Sequence, residues 1–262
     1  MQGKRAEWEK ACREYPDLSP FVLLKMSMVW HGAVLTEAAL DRLQEPDYCF
    51  GKLEPFGISF GGRPADKVMP GGILLRDATF VYINYGENYR DPYQIDWDAG
   101  RGEFLLKEGK DVIDTVDFVP RPQFFGKTTS RGTPMEAVAE ARAQKLILTA
   151  YQKCRLWEGG KQCHFCAFFT GGHSLGEVDC EDVYETVREA LKEPGRFSEI
   201  YLSGGTDFGG EPPFSREVER YIRVLQAIGR NFSGRFSSQL MAPAYSRKVL
   251  EHIYKETGLT SY

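Results

Sequence analysis

At 262 residues, with 42% hydrophobic and 27% charged side chains, the chain can form one large or two ordinary domains, and its composition excludes fibre, collagen and wholesale disorder. A formal charge of -4, with lysine and arginine scattered along the sequence, offers no general attraction to a phosphate backbone, so nucleic acid is not an expected partner. The longest apolar stretch, Phe21 to Trp30, is broken by Lys25 and falls short of the ~20 residues of a membrane span; the charged opening Met1 to Pro16 lacks a secretory signal's apolar core, which together predict a cytoplasmic chain without a membrane partner.

The first forty-five residues read as helical, with Thr36 capping a short helix that carries Ala39, Leu40 and Leu43 on one face and stops at Pro46. From Phe56 to Val119 the pattern shifts to short β-branched and aromatic runs, at 56–60, 79–85, 93–97 and 103–106. Tyr93 to Trp97 and Glu103 to Leu106, separated by a loop with Gly100 and Gly102, read as a hairpin. The glycine pairs at 61–62 and 71–72 read as turns, since no lysine–serine pair follows to make a phosphate loop. Residues 1–130 are therefore expected to form an accessory α+β domain, with Pro120, Pro122 and the polar 127–132 stretch as connector.

Thr133-Pro134-Met135-Glu136 supplies an N-cap, a first-turn proline and a capping-box glutamate, predicting a helix to about Ala143. Leu146 to Tyr151 is an apolar run of strand length. Asp179 caps a helix bearing Val183, Val187, Ala190 and Leu191, ended by Pro194-Gly195, and Glu199 to Ser203 is the next strand. Ser215 caps a helix bearing Val218, Tyr221, Ile222, Leu225 and Ile228; Arg235 to Leu240 is a third strand; Ser246 opens a helix ending near Gly258; Leu259 to Tyr262 begins a fourth strand. Alternating βα units predict a parallel sheet in residues 131–262, whose ligands collect at the C-terminal ends of the strands. Three units are fewer than a full barrel needs, so the sequence reads as truncated, with the edge of its third strand uncovered and prone to aggregation.

Six cysteines, three of them crowded into thirteen residues, look like metal ligands in a reducing compartment and unlike a disulfide framework. After the first βα strand the chain reads Cys154, eight residues, Cys163, His164, Phe165, Cys166. Three cysteines on a four-iron cubane leave one iron open to a small molecule.

The Cys163-His164-Phe165-Cys166 segment resembles the second half of the signature of the radical S-adenosylmethionine superfamily, C-x3-C-x-aromatic-C after the first strand of a partial βα barrel. Ser203-Gly204-Gly205-Thr206-Asp207 is similar to its glycine-glycine-acidic motif after the second strand. The resemblance covers about residues 140–262 and implies an α/β fold, a partial TIM-like barrel of the radical S-adenosylmethionine type, cut after three units. It further implies an oxygen-sensitive [4Fe–4S] cluster on Cys154, Cys163 and Cys166, with S-adenosylmethionine held at Gly204, Gly205, Thr206 and Asp207 and its adenine near Phe165. By the same implication the cofactor is cleaved to a 5′-deoxyadenosyl radical that abstracts hydrogen from a small-molecule or peptide substrate, with flavodoxin or ferredoxin as electron donor. The eight-residue spacer is longer than the usual three, as in atypical branches, and Thr206 stands where the acidic residue commonly follows, which shifts that role towards the backbone.

Other readings compete. Cys154, Cys163 and Cys166 with His173 make a Cys3His zinc site, giving a zinc-stabilised binding module without catalysis, and Cys180 as a fourth ligand gives a closed electron-transfer cluster. Cys12, Cys49 and Cys180 read as small buried hydrophobes, and His164 as a loop residue or a donor to a cluster sulfur. Gln239 and Met241 end the third strand facing either the cofactor or ordinary packing, and His31 and His252 carry no signal.

Overall fold

In the computed structural model the described residues are 3–45, 72–82, 91–142, 144–164, 166, 176–234, 236–259 and 261–262. They divide into two compact units that meet in sequence at Arg121–Pro122.

The first unit opens with three helices, α1 (Lys4–Glu14), α2 (Pro20–His31) and α3 (Glu37–Leu43), with the short strand β1 (Ala33–Leu35) between the last two. Ser19 accepts a hydrogen bond from the Phe21 amide and Pro20 takes the first turn of α2, while the Thr36 hydroxyl caps α3 by accepting from the Ala39 amide at 3.3 Å. The all-helical expectation for this stretch is thus corrected by β1, which pairs parallel to a strand sixty residues on, a partner that local periodicity cannot reveal. Strands β2 (Gly72–Leu75), β3 (Phe80–Tyr82), β4 (Tyr93–Asp98), β5 (Glu103–Glu108) and β6 (Asp111–Phe118) complete a six-stranded sheet of order β1-β4-β5-β6-β2-β3. The β4–β5 hairpin is as the sequence reads, with Gly102 at φ 68° in its turn, a conformation that favours glycine. Leu24, Met28, Ile73, Tyr93, Phe104 and Phe118 fill the core. The run at 56–60 and the glycine pairs at 61–62 and 71–72 lie, wholly or in part, outside the described residues.

The second unit is mixed α/β. It comprises α4 (Met135–Val138), β7 (Ala139–Arg142), β8 (Lys145–Thr149), α5 (Arg155–Glu158), α6 (Cys180–Ala190), β9 (Glu199–Ser203), α7 (Ser215–Gly229), β10 (Ser238–Leu240) and α8 (Arg247–Thr257). Strands β8, β9 and β10 are parallel neighbours in the order β10-β9-β8-β7, joined through α6 and α7. Leu146, Leu148, Ile200, Leu202 and Leu240 pack against Val183 and Val187 of α6, Val218, Tyr221 and Leu225 of α7, and Ile253 of α8. Each such side chain stabilises the fold by roughly 1.5–3 kcal/mol relative to exposure.

Several expectations are corrected here. The helix over 133–143 is one turn, α4, followed by β7, which runs antiparallel along the free edge of β8, so the sheet is not wholly parallel. The Thr133 hydroxyl does not cap that turn but donates to Asp182 Oδ2 at 2.7 Å, and the Glu136 carboxylate accepts from the Gly126 amide instead of closing a capping box. Local signals lost to β8's unpaired edge and the buried Asp182 carboxylate. Ser215 is the first residue of α7, not its cap; the cap is Phe214, at φ 70°. Leu259 to Tyr262 begins a strand only as far as one parallel bridge, Gln239 to Ser261, with the Leu240 amide donating to the Ser261 carbonyl at 3.2 Å, so part of β10's outer edge is covered. Among the described residues no helix is long and apolar enough to cross a membrane.

Candidate functional site

The cysteine loop leaves the C-terminal end of β8 and its ends are tied together at the sheet. Beyond Thr149 the Ala150 amide donates to the Ser203 carbonyl, and the Gln152 amide donates to the Gly176 carbonyl at 2.6 Å, with Tyr151 and Glu177 paired as an antiparallel bridge. Cys154 therefore follows the neck of a closed loop. It is 9% exposed and precedes the single turn α5, with the Trp157 and Glu158 amides donating to its carbonyl at 3.0 and 3.1 Å. Cys163 is exposed, and Cys166 is half-buried with its amide donating to the Cys163 carbonyl at 3.0 Å. The Trp157 indole N–H points to Cys166 Sγ at 3.4 Å. All three thiols are free. Phe165 lies outside the described residues, as do 167–175 and with them His173.

The turn after β9 lies directly against this neck. The Gly205 amide donates to the Tyr151 carbonyl at 2.8 Å, and the Arg155 amide donates to the Thr206 carbonyl at 2.9 Å. A Cβ on Gly205 would stand 1.8 Å from the Lys153 carbonyl oxygen and 2.8 Å from Cys154 Cβ. One on Gly204 would stand 3.1 Å from the Tyr221 hydroxyl. Neither glycine occupies the left-handed region, so close approach to the chain entering the cysteine loop is what requires them. The two motifs singled out in the sequence, fifty residues apart, are thus one contiguous structure.

Asp207 is 3% exposed and fully engaged. Its Oδ1 accepts from Arg155 Nε at 3.1 Å and from the Gly209 amide at 3.0 Å; its Oδ2 accepts from Arg220 Nη2 at 3.3 Å; Arg216 Nη2 lies 3.7 Å away. Burial alone would raise this carboxyl, but the Gly209 amide, Arg220 and Arg216 outweigh it and hold Asp207 below the usual carboxylate range. Behind it Glu217, 1% exposed, accepts from the Asp207 amide at 2.5 Å and from the Tyr245 hydroxyl. Burial pushes Glu217 upward, against the pull of those two donors, and pushes the Tyr245 and Tyr221 hydroxyls upward as well.

Sequence reasoning missed Arg155, Glu177, Glu217, Arg220 and Tyr245. A signal existed for two of them: in a βα unit the first turns of the helix sit over the strand's C-terminal end, and Glu217 and Arg220 are charged residues buried beside the apolar stripe at that end of α7.

Elsewhere the expectations fare differently. His164 is exposed. Gln239 is half-buried on β10, and Met241 is 56% exposed with its thioether accepting from the Tyr201 hydroxyl at 3.0 Å. Cys12 and Cys180 are half-buried, not buried as expected: Cys180, the first residue of α6, packs at the margin of its unit's core, and Cys12 lies on α1, a helix whose apolar contribution to the core is small; Cys49 is outside the described residues. Among the described residues no group of three or more histidine, cysteine, aspartate or glutamate side chains converges as a metal site. The donor chemistry nevertheless fits a cubane cluster: three free thiols on one closed loop, one of them facing an indole N–H. No family model, no curated protein and no solved structure matches this chain.

Proposed function

We propose that the chain is the core of a radical S-adenosylmethionine enzyme, built on a partial βα barrel, with Cys154, Cys163 and Cys166 holding a [4Fe–4S] cluster and the Gly204–Thr206 turn holding the cofactor. The observation that carries this reading is the packing of Gly205 and Thr206 onto the backbone of Lys153 to Arg155, since a ligand shared by an open iron and the β9 turn needs the two side by side. When bound, such a cluster supplies the electron that cleaves the sulfur–C5′ bond of S-adenosylmethionine, and the resulting 5′-deoxyadenosyl radical abstracts hydrogen from a substrate.

The chain's own residues have separate tasks. Cys154, at the buried neck, is the fixed ligand; Cys163 and Cys166 lie further along the loop and have to be drawn towards it, a rearrangement that metal binding drives in many small sites. Gly204 and Gly205 keep the neck free of side chains, leaving backbone groups to meet a ligand's ammonium. Asp207, expected from its motif to touch the cofactor, has both carboxylate oxygens engaged by Arg155, Gly209 and Arg220, so its task is structural support of the neck. Flavodoxin or ferredoxin as electron donor, and a cytoplasmic location, belong to the same proposal.

The test is anaerobic reconstitution with iron and sulfide, followed by metal and sulfide analysis and electron paramagnetic resonance of the reduced protein. About four irons and four sulfides per chain are expected, falling by at least half in Cys154→Ala, Cys163→Ala and Cys166→Ala. A Cys163→Ala variant with a normal cluster removes the ligand assignment.

A further inference from the structure

Among the described residues the backbone closes the cysteine loop at its neck, where the Gln152 amide meets the Gly176 carbonyl and the Val178 amide meets the Ala150 carbonyl. Side chains extend the closure, and they converge on one guanidinium. Arg220 of α7 is 7% exposed. Its Nη2 lies 3.3 Å from Asp207 Oδ2, its Nε lies 3.3 Å from Glu177 Oε2, and its carbon sits 4.1 Å from the centroid of the Tyr151 ring. Asp207 in turn pairs with Arg155, the residue after Cys154, and Glu177 is held a second time by Arg223 Nη2 at 2.6 Å.

Tyr151 and Arg155 belong to the entry of the loop and Glu177 to its exit, so one side chain reaches both. A guanidinium suits this place better than an ammonium: its planar fork spans two carboxylates while its face stacks on an aromatic ring. Among the described residues its Nη1 and Nε are buried without a hydrogen-bond partner, so Glu177 holds it by charge alone, and the hydrogen bond to Asp207, the Glu177 ion pair and the ring are what offset the cost of burying the guanidinium.

We infer that Arg220 is a positioning residue that fastens both ends of the cysteine loop, gripping the entry through Tyr151 and the Asp207–Arg155 pair and the exit through Glu177. Its purpose rests on the cluster reading, because fixing the neck fixes where Cys154 stands before any metal arrives. The fastening itself is a property of the metal-free chain and is tested there.

The experiment is anaerobic alkylation of the metal-free full chain with iodoacetamide, with the rate at each cysteine read by peptide mass spectrometry and Cys12 in the other unit as internal reference. Relative to Cys12, Cys154 is expected to react about tenfold faster or more in Arg220→Gln, and about threefold faster in Glu177→Gln and Arg155→Gln, whose side chains are 44% and 42% exposed and whose pairs are weaker. Arg220→Lys, which keeps the charge and loses the fork, should fall between Arg220→Gln and the native chain. Cys154 rates within about twofold of native in folded Arg220→Gln would overturn the inference. If Arg220→Gln does not fold, Glu177→Gln and Arg155→Gln decide, and native rates in both overturn it equally. A chain that takes up zinc and builds no cluster would end the cluster reading yet leave these rates as measured, so the two failures are distinguishable.

Discussion

Replacing Gly205 by alanine tests most sharply whether the β9 turn and the cysteine loop are one structure. The added methyl would stand 1.8 Å from the Lys153 carbonyl oxygen, 2.5 Å from its carbon and 2.8 Å from Cys154 Cβ, where ordinary contact begins at 3.4 Å. Relief needs a movement of about 1.6 Å by one backbone or the other, and both are bonded in place, by Gly205 to Tyr151 and by Arg155 to Thr206. Overpacking of this kind costs about 1–3 kcal/mol, and contact with backbone in place of a flexible side chain puts this site at the upper end. For a unit of this size that is a fall in melting temperature of about 10 °C. The methyl of Gly204→Ala would stand 3.1 Å from the Tyr221 hydroxyl, 3.2 Å from the Tyr151 nitrogen and 3.5 Å from its carbonyl oxygen, a misfit of a few tenths of an ångström, and should cost about 1 kcal/mol or less. Thermal melts followed by far-ultraviolet circular dichroism give both numbers. Equal melting temperatures for Gly205→Ala and the native chain would refute the packing on which the proposed site depends.

Two further outcomes follow from the same unit. Asp182, buried, accepts from the Thr129 and Thr133 hydroxyls at 2.7 Å each, so Asp182→Ala should lower stability in urea titration by about 2–4 kcal/mol, with part recovered on adding Thr133→Val, which removes a hydroxyl that has lost its acceptor, whereas Thr129 is kept because its hydroxyl also accepts from the Thr133 amide. The two buried carboxyls next to each other should tilt the pH dependence of stability in opposite senses. Asp207 titrates below its ordinary 3.8 when folded, so its contribution is present above that value and is lost as pH falls through the folded one; Glu217 titrates above its ordinary 4.5, so its contribution is full below that value and lost as pH rises through the folded one. Asp207→Asn should therefore flatten the acid limb of a stability–pH curve, and Glu217→Gln the limb above about pH 4.5. Variants that leave the opposite limb altered, or neither, would contradict the assigned directions.

Much of the fold was legible because burial leaves a period. Glu199–Ser203 was read to the residue, and α6 and its Asp179 cap followed from Val183, Val187 and Ala190 on one face. What failed were signals that another part of the chain could outbid: Thr133 had a capping role available but found Asp182, and residues 139–142, helix formers that read as a continuation of the helix to Ala143, were claimed by the edge of β8. At the site, the cysteines and the glycine pair were visible as motifs, whereas the Asp207–Arg220–Glu177 network is spread over Tyr151 to Tyr245 and depends on which face of α7 lies over the loop. Asp207 shows the limit best: its place in a motif pointed to a ligand contact, and its neighbours turn it inward to arginine.

The most direct test of the central claim is anaerobic incubation of the reconstituted chain with S-adenosylmethionine and dithionite, assayed for 5′-deoxyadenosine and methionine by chromatography. The account expects both products, dependent on dithionite and abolished in Cys154→Ala and Cys166→Ala. Tightly bound stoichiometric zinc with no cluster and no 5′-deoxyadenosine would contradict it.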